Sequence, residues 1–438
     1  MGYAVGQTVQ LTVQEMTPQW EGIGELEKIP VLLEGTVWVG DEVKAVLTAR
    51  SRQHGHWFAR VRRVVVPGVQ REPLFCNLAS ACGGCHGGGI PYEVQTTWKA
   101  TYLQKLFPTA DFVSSPQSVG YRNKVKWIVG YDTQGRVQLG FYRPKSHTFL
   151  PIQRCAQLIP ELVQLEIDLL ELLQDIQPYD EVKNTGDVKS VFAKSNSRGE
   201  ILVTFVVAHP LNTTQTAILK QVIRLPYVVG VTCNLQSQRT NRLTGDTEWG
   251  LAGAEFLVEP DWPLPFYMNA TGFSQVNHDI AKAAVQKIVN ELRGVQLPIF
   301  DLYCGTGPIA LALLSAGHDV IGVEIQPKAI ELAYKSSARI DWHNCDADSF
   351  LQSFHHGPSA FVVNPPRTGL SAFVIKRLGE LPVMHLVYMS CNPKTLQRDA
   401  VILQQYGFYL ASITGFDMFA QTPWFETVAH FIRKKMDC

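Results

Sequence analysis

A Gly-rich turn, a proline-locked corner and a thiol follow one another in the last third of this chain, and together they bound its chemistry. Cys391 stands in Ser390-Cys391-Asn392-Pro393. Upstream of it lie Asp301-Leu302-Tyr303-Cys304-Gly305-Thr306-Gly307 and Asn364-Pro365-Pro366-Arg367. A bare backbone at Gly305 and Gly307 lets a nucleotide-like cofactor approach closely. Two prolines hold the second segment extended, so the Asn364 amide can point into a cleft and grip a flat substrate. A thiol placed after these segments implies covalent attack on that substrate, since the thiolate is a strong nucleophile.

The elements around these residues read as alternating strands and helices from about Asn269. A helix is predicted over 279–293, a strand over 299–303, a helix over 308–315, a strand over 320–324 and a helix over 327–337. Further strands are predicted at 360–363 and 385–389. Such alternation predicts a doubly wound parallel sheet with ligands at the carboxyl ends of its strands. Glu324 ends the strand after the Gly-rich turn, where a carboxylate can accept hydrogen bonds from ribose hydroxyls. The run from Gly305 to Ala310 also fits the pattern G-x-G-x-x-A, so the turn alone admits NAD as readily as S-adenosylmethionine. The Asn-Pro-Pro corner tips the balance, because it resembles the corner of methyltransferases that act on planar nitrogen groups and bases. Asp346, just after the third strand, lies where such folds meet the adenine amino group.

Upstream the pattern differs. Short apolar runs at 9–13, 31–33, 42–47 and 57–66 are separated by Gly, Asp and Ser turns, which predicts a small β-barrel of OB type. Pro67-Gly68 then breaks the run. Helices are predicted at 92–106 and 158–176 and strands at 201–208 and 227–235, a mixed α/β insert. The division expected is therefore 1–66, 67–268 and 269–438.

At 438 residues the chain exceeds one typical core. With 46% hydrophobic and 18% charged residues it reads as globular rather than disordered. No basic stretch precedes an apolar run at the N-terminus, and no apolar run reaches about eighteen residues, so no signal peptide or membrane span is expected and the protein is expected in the cytoplasm. The formal net charge is zero, yet the distribution is uneven. No Asp or Glu occurs over 43–70, which holds Lys44, Arg50, Arg52, Arg60, Arg62 and Arg63. Over 112–160 Asp132 is the one acid among Arg122, Lys124, Lys126, Arg136, Arg143, Lys145 and Arg154. Two local basic patches can follow a phosphate backbone, and two ordinary solvated faces are the plainer alternative. Nine cysteines in such a chain do not form a disulfide framework. Cys76, Cys82 and Cys85 cluster, with Cys155 further on. Spacing alone leaves an iron–sulfur cluster, zinc or unligated thiols open.

Taken in order, Phe273-Ser274-Gln275-Val276-Asn277, Leu302-Tyr303-Cys304-Gly305, Asn364-Pro365-Pro366-Arg367, Ser390-Cys391-Asn392-Pro393 and the run from Phe416-Asp417-Met418-Phe419 to Glu426 resemble the RNA uracil-C5-methyltransferase family, the group of RumA, RumB and TrmA. The resemblance covers nearly the whole chain. It implies a class I (Rossmann-like) methyltransferase domain, an N-terminal TRAM domain of OB type and a central α/β RNA-binding domain. It implies Cys391 as nucleophile and Glu426 as base. Cofactor contacts carry over to Gln275, Tyr303, Gly305, Glu324, Asp346 and Asn364. Cys76, Cys82, Cys85 and Cys155 carry over as ligands of a [4Fe–4S] cluster. The barrel and cysteine cluster point to the members that methylate 23S ribosomal RNA of the large subunit, with the protein acting as a monomer. The rival readings are a tRNA uracil-C5-methyltransferase, an N6-adenine methyltransferase and a non-catalytic RNA-binding protein.

Two departures stand out. Many members carry Asp where this chain has Asn364; an amide can donate and accept but cannot act as a base, which leaves that role to Glu426. The usual Pro-His-Thr-x-His stretch before the glutamate reads Ala420-Gln421-Thr422-Pro423-Trp424.

Overall fold

Alternation of apolar and polar residues builds the first sheet. The computed structural model describes residues 3–181, 183–238, 240 and 242–433; Cys438 lies outside them. The described chain forms two compact units, the first comprising 1–102, 143–146 and 419–424 and the second the remainder.

In the first unit six strands pair in the order Thr8–Thr12, Glu42–Arg50, Trp57–Val66, Ile29–Glu34, Gly22–Leu26, Glu15–Met16. Pairing is antiparallel except between Ile29–Glu34 and Trp57–Val66. Val9, Leu11, Val31, Leu33, Val43, Ala45, Leu47 and Trp57 point inward and form its core. Among the described residues no ladder joins the two end strands, so the closed barrel expected here is not established. Those ends are separated by Val13 and Gln14 alone, and Gln14 N donates to Ile23 O at 2.8 Å.

The second unit holds two larger sheets. Seven strands run in the order Phe149–Pro151, Val137–Tyr142, Lys124–Tyr131, Val188–Ser195, Ile201–Val207, Val228–Leu235, Thr247–Gly253. Leu162, Leu165 and Leu169 of helix Pro160–Leu172 belong to one core with Trp127, Val191 and Phe205 of this sheet. Spacing of three and four residues puts those leucines on one stripe.

The other sheet has eight strands, in the order Asp341–Asn344, Val320–Glu324, Ile299–Leu302, Ser359–Val363, Val383–Ser390, Glu426–Arg433, Phe408–Phe416, Asp111–Val113. The first five are parallel, and Glu426–Arg433 runs antiparallel to both neighbours. All five residues of Ser359–Val363 are buried, as a central parallel strand covered on both faces requires. Helices His278–Glu291, Pro308–Ser315, Pro327–Ser336, Ala347–Gln352, Ala372–Glu380 and Pro393–Gln405 connect or flank these strands.

Candidate active site

The strand order sets the residues of interest in a row. Glu324 ends its strand, Tyr303 follows Leu302, Asn364 follows Val363 and Cys391 follows Ser390. Glu426 begins the antiparallel strand next to that of Cys391, so it reaches the same edge. Along this carboxyl edge the order is Glu324, Tyr303, Asn364, Cys391, Glu426, one per strand. Adjacent strands lie about 4.8 Å apart, so the row spans roughly 20 Å. That is room for a nucleoside cofactor at one end and a flat base at the other.

At the cofactor end the turn is held by its own backbone. Tyr303, Gly305 and Gly307 all have positive φ, at 63°, 59° and 84°. A left-handed Tyr303 is costly for a residue with a side chain, and such strain collects where a ligand is gripped. The Glu324 carboxylate accepts from Gly305 N at 3.1 Å and from Gln326 N at 2.8 Å, tying the turn to the neighbouring strand end. Nothing stands within 4 Å of where a Gly305 Cβ would point, so the space over the turn is open to a ligand. Beneath the turn, buried Asp301 accepts from Ala310 N at 3.1 Å, and burial pushes its carboxyl up to about 8. Burial, with Asp348 and Asp346 nearby, also raises the Tyr303 phenol to about 12. Asp346 caps helix Ala347–Gln352, accepting from Ser349 N at 2.7 Å and Ser349 Oγ at 2.8 Å. The turn therefore fits an adenosyl cofactor on three counts: open backbone, a fixed acid on the next strand, and an acidic cluster beside Tyr303.

At the other end Cys391 is half-buried and Glu426 buried. Asn392 caps helix Pro393–Gln405 through Lys394 N at 3.2 Å, with Pro393 in the first turn, so the thiol sits where strand passes into helix. Burial pushes the Cys391 thiol up and the Glu426 charge adds to that, while the Arg367 guanidinium pulls it down by charge and by a hydrogen bond. Burial holds Glu426 at about 7, with Gln275 and Arg367 drawing it back. Glu426 Oε2 and Gln275 Nε2 are nonetheless buried side-chain atoms that complete no hydrogen bond of normal geometry. Two such atoms beside a thiol are what a polar planar ligand could satisfy. Gln275 thus lies against the acid at the substrate end. Asn364 is half-buried, its N–H 3.4 Å from Leu302 O, between the two ends of the row.

Arg367 was legible only as a residue inside the proline corner, and its position beside both ionisable groups was not. Lys124 also stands elsewhere than on an open basic face. Its Nζ donates to Gly272 O at 2.6 Å, and Lys194 Nζ, fully buried, donates to the same oxygen at 3.1 Å. This pair fixes the loop that delivers Gln275. The stretch 419–424, which departs from the family pattern, is gripped within the first unit. Gln421 O accepts from His86 N at 2.8 Å and Gly87 N at 3.1 Å, Gln95 Nε2 donates to Gln421 Oε1 at 2.9 Å, and Lys99 Nζ reaches Phe419 O and Trp424 O. Cys76, Cys82, Cys85 and Cys155 are all half-buried. Among the described residues no three His, Cys, Asp or Glu side chains stand in a metal-holding arrangement, so the geometry does not support the cluster ligand set.

A family model described as tRNA (Uracil-5-)-methyltransferase matches residues 344–434, which hold Cys391 and Glu426. An uncharacterized RNA methyltransferase of Thermosynechococcus vestitus is 31% identical over 97% of this chain and 98% of its own length. One from Listeria innocua is 27% identical over 96% of this chain and 97% of its own. Among solved structures, the Pyrococcus abyssi tRNA (uracil-54, C5)-methyltransferase in complex with S-adenosyl-L-homocysteine aligns with a TM-score of 0.76 at 22% identity. It covers 97% of this chain and 100% of that one, and the likeness establishes a shared fold. By this family match and these relatives, the chain belongs to the S-adenosylmethionine-dependent RNA uracil-C5-methyltransferases.

Proposed function

We propose that this protein methylates C5 of a uridine in large-subunit ribosomal RNA through a covalent bond between Cys391 Sγ and uracil C6. The single observation that supports this most is the juxtaposition of a half-buried thiol, a buried carboxyl near neutrality and a guanidinium that acts on both. Uracil C5 is a poor nucleophile. Addition of the Cys391 thiolate to C6 moves the C5–C6 electron pair into an enolate whose C5 can form a new carbon bond. S-adenosylmethionine supplies the methyl group to C5 and leaves as S-adenosylhomocysteine. Glu426 then takes the C5 proton, the electron pair restores the C5–C6 double bond, and the thiolate is expelled. A carboxyl held at about 7 suits that step, since a general base works best with its pKa near the operating pH. Arg367 offsets the negative charge on sulfur before attack and after release.

Gln275 Nε2, buried beside Glu426, supplies a donor for a uracil carbonyl. Tyr303, Gly305, Glu324 and Asp346 hold the cofactor, and Asn364 meets either cofactor or base. Residues 1–66 serve as the TRAM domain of OB type, 67–268 as the central RNA-binding part and 269–438 as the methyltransferase domain. Arg60, its side chain 62% exposed, and its basic neighbours hold phosphates, and the target base flips from its stack to reach the thiol. A [4Fe–4S] cluster on Cys76, Cys82, Cys85 and Cys155 rests on the family resemblance alone, and no step runs through it. Iron and sulfide analysis of anaerobically prepared protein tests it; finding neither removes it.

A tRNA uridine is the second reading, favoured by the description of the matched family and by the substrate named for the Pyrococcus abyssi protein. Nucleoside analysis after reaction with unmodified large-subunit RNA and with tRNA transcripts separates the two. 5-Methyluridine in the ribosomal RNA alone is the expected result, and N6-methyladenosine in either would end the proposal.

A further inference from the structure

We propose that Asp399 is a positioning residue that holds Arg367 against Cys391. It rests on the reading of Cys391 as nucleophile and adds the residue that sets the thiol's surroundings. Asp399 lies on helix Pro393–Gln405 and is wholly buried. It touches neither the thiol nor the carboxyl of Glu426 in any recorded bond, yet three segments of the site meet on it. Tyr388 OH, from the strand that leads to Cys391, donates to Asp399 Oδ2 at 2.9 Å. Leu370 N, from the loop that follows Arg367, donates to the same oxygen at 3.1 Å. Arg398 Nε donates to Asp399 Oδ1 at 2.8 Å.

Arg398 then extends the grip, its Nη2 donating to Thr368 O at 3.0 Å. Asn392 Nδ2, beside the thiol, donates to Arg367 O at 3.3 Å. Three peptide groups of the loop, at 367, 368 and 370, are thus pinned to the N-cap and first two turns of one helix. Gly369 closes the fit: its φ is +81°, and a Cβ there would meet Arg398 Nη2 and Asp399 Oδ2, each at 2.7 Å. A loop pinned on its backbone at a residue and just after it leaves that side chain fewer places to go. The pinned backbone thereby directs the Arg367 side chain to Cys391, which its guanidinium meets by charge and by a hydrogen bond. A buried carboxylate with three donors is costly to disturb, because loss of its charge leaves those donors unmatched.

The test follows alkylation of Cys391 by iodoacetamide as a function of pH in the full-length protein, read by mass spectrometry of the peptide that contains it. Neither RNA nor cofactor is present. Asp399→Asn is expected to raise the midpoint by about one unit, slowing alkylation at neutral pH about tenfold. Arg367→Gln is expected to raise it as well, and the double variant no further than the larger single effect. A profile for Asp399→Asn that superimposes on the native one overturns the proposal, as do two shifts that simply add. If Asp399→Asn fails to give a cooperative melt, Tyr388→Phe removes one donor only. A smaller upward shift supports the role, and an unmoved midpoint overturns it. Failure of the nucleophile reading shows separately, as methyl transfer that survives Cys391→Ala.

Discussion

Glu426 faces Cys391 one step beyond the Ser390–Thr427 pair of an antiparallel ladder, and its negative charge raises the thiol's pKa. In the proposed mechanism the base therefore works against the nucleophile before the reaction begins, and the Arg367 charge offsets it. Removal of the Glu426 charge should free the thiol while disabling the last step. Glu426→Gln is expected to accumulate a protein–RNA adduct that survives denaturing gel electrophoresis. Cys391→Ala should give neither adduct nor labelled methyl in RNA, with cofactor binding retained. An adduct in the Cys391→Ala protein would show that another residue attacks.

The same two groups set the pH dependence. Glu426 is held at about 7 and the thiol is raised by burial, so both reactive ionised forms gain population as pH rises through neutrality. Methyl transfer is expected to increase between about pH 6 and about pH 8, with adduct building up at the acid end where Glu426 is protonated. Stability should run the other way. The folded state holds the Glu426 proton from its ordinary 4.5 up to about 7, so its contribution is complete below 4.5 and is lost as pH rises through 7. Buried Asp301, raised to about 8, acts with the same sign. Thermal melts should therefore fall in Tm across this window, and Glu426→Gln should flatten part of the fall. A Tm that climbs across it would contradict the burial of these acids.

Legibility in the sequence followed the range of the interactions. Helix 308–315 and strand 320–324 carry the same bounds in sequence pattern and structure, because an apolar run between turn residues is a local signal. Strand Asp111–Val113 was not legible: it is three residues long and joins the catalytic sheet beside Phe408–Phe416, a pairing no local pattern encodes. Gly22–Leu26 escaped for a different reason. Two of its three inward positions are Gly22 and Gly24, so the alternation of burial has little alternation of hydrophobicity to announce it. Within the site, Cys391 and Glu426 stood out through motif and order. The placement of Gln275 against Glu426, and of Lys124 against Gly272 rather than on an open face, depends on packing between distant segments.

The two glycines of the cofactor turn should respond differently to the same substitution. At Gly305 a Cβ meets nothing within 4 Å, so Gly305→Ala costs the fold only the left-handed penalty, about 1–2 kcal/mol, and intrudes on ligand space. At Gly307 a Cβ would stand 2.3 Å from the Trp342 ring. Overpacking adds to backbone strain there, for a loss of about 2–5 kcal/mol. The expected pattern is a raised KM for S-adenosylmethionine with a modest Tm loss at 305, and a large Tm loss at 307. Equal melts would contradict the close Trp342 packing at Gly307, and an unchanged KM for Gly305→Ala would place the ligand elsewhere than over Gly305.

Lys194 separates stability from activity. It is fully buried, and desolvation drives its pKa well down, with Lys124 adding repulsion and Glu248 partly compensating. An amine buried at that cost is often replaced by an apolar side chain of similar length with little loss of stability. Lys194→Met should therefore melt at or near the native temperature. It removes one of the two donors on Gly272 O, and that loop carries Gln275 to Glu426. Misplacement of a group by about 1 Å can cost up to about 100-fold in rate. We expect kcat to fall between about 10- and 100-fold while KM for S-adenosylmethionine, which the proposed site places at the far end of the strand row, stays within about twofold. Stopped assays at saturating RNA measure the first, and a cofactor titration the second. A variant that loses Tm and cofactor affinity together would mean that Lys194 supports the sheet as a whole rather than the loop before Gln275.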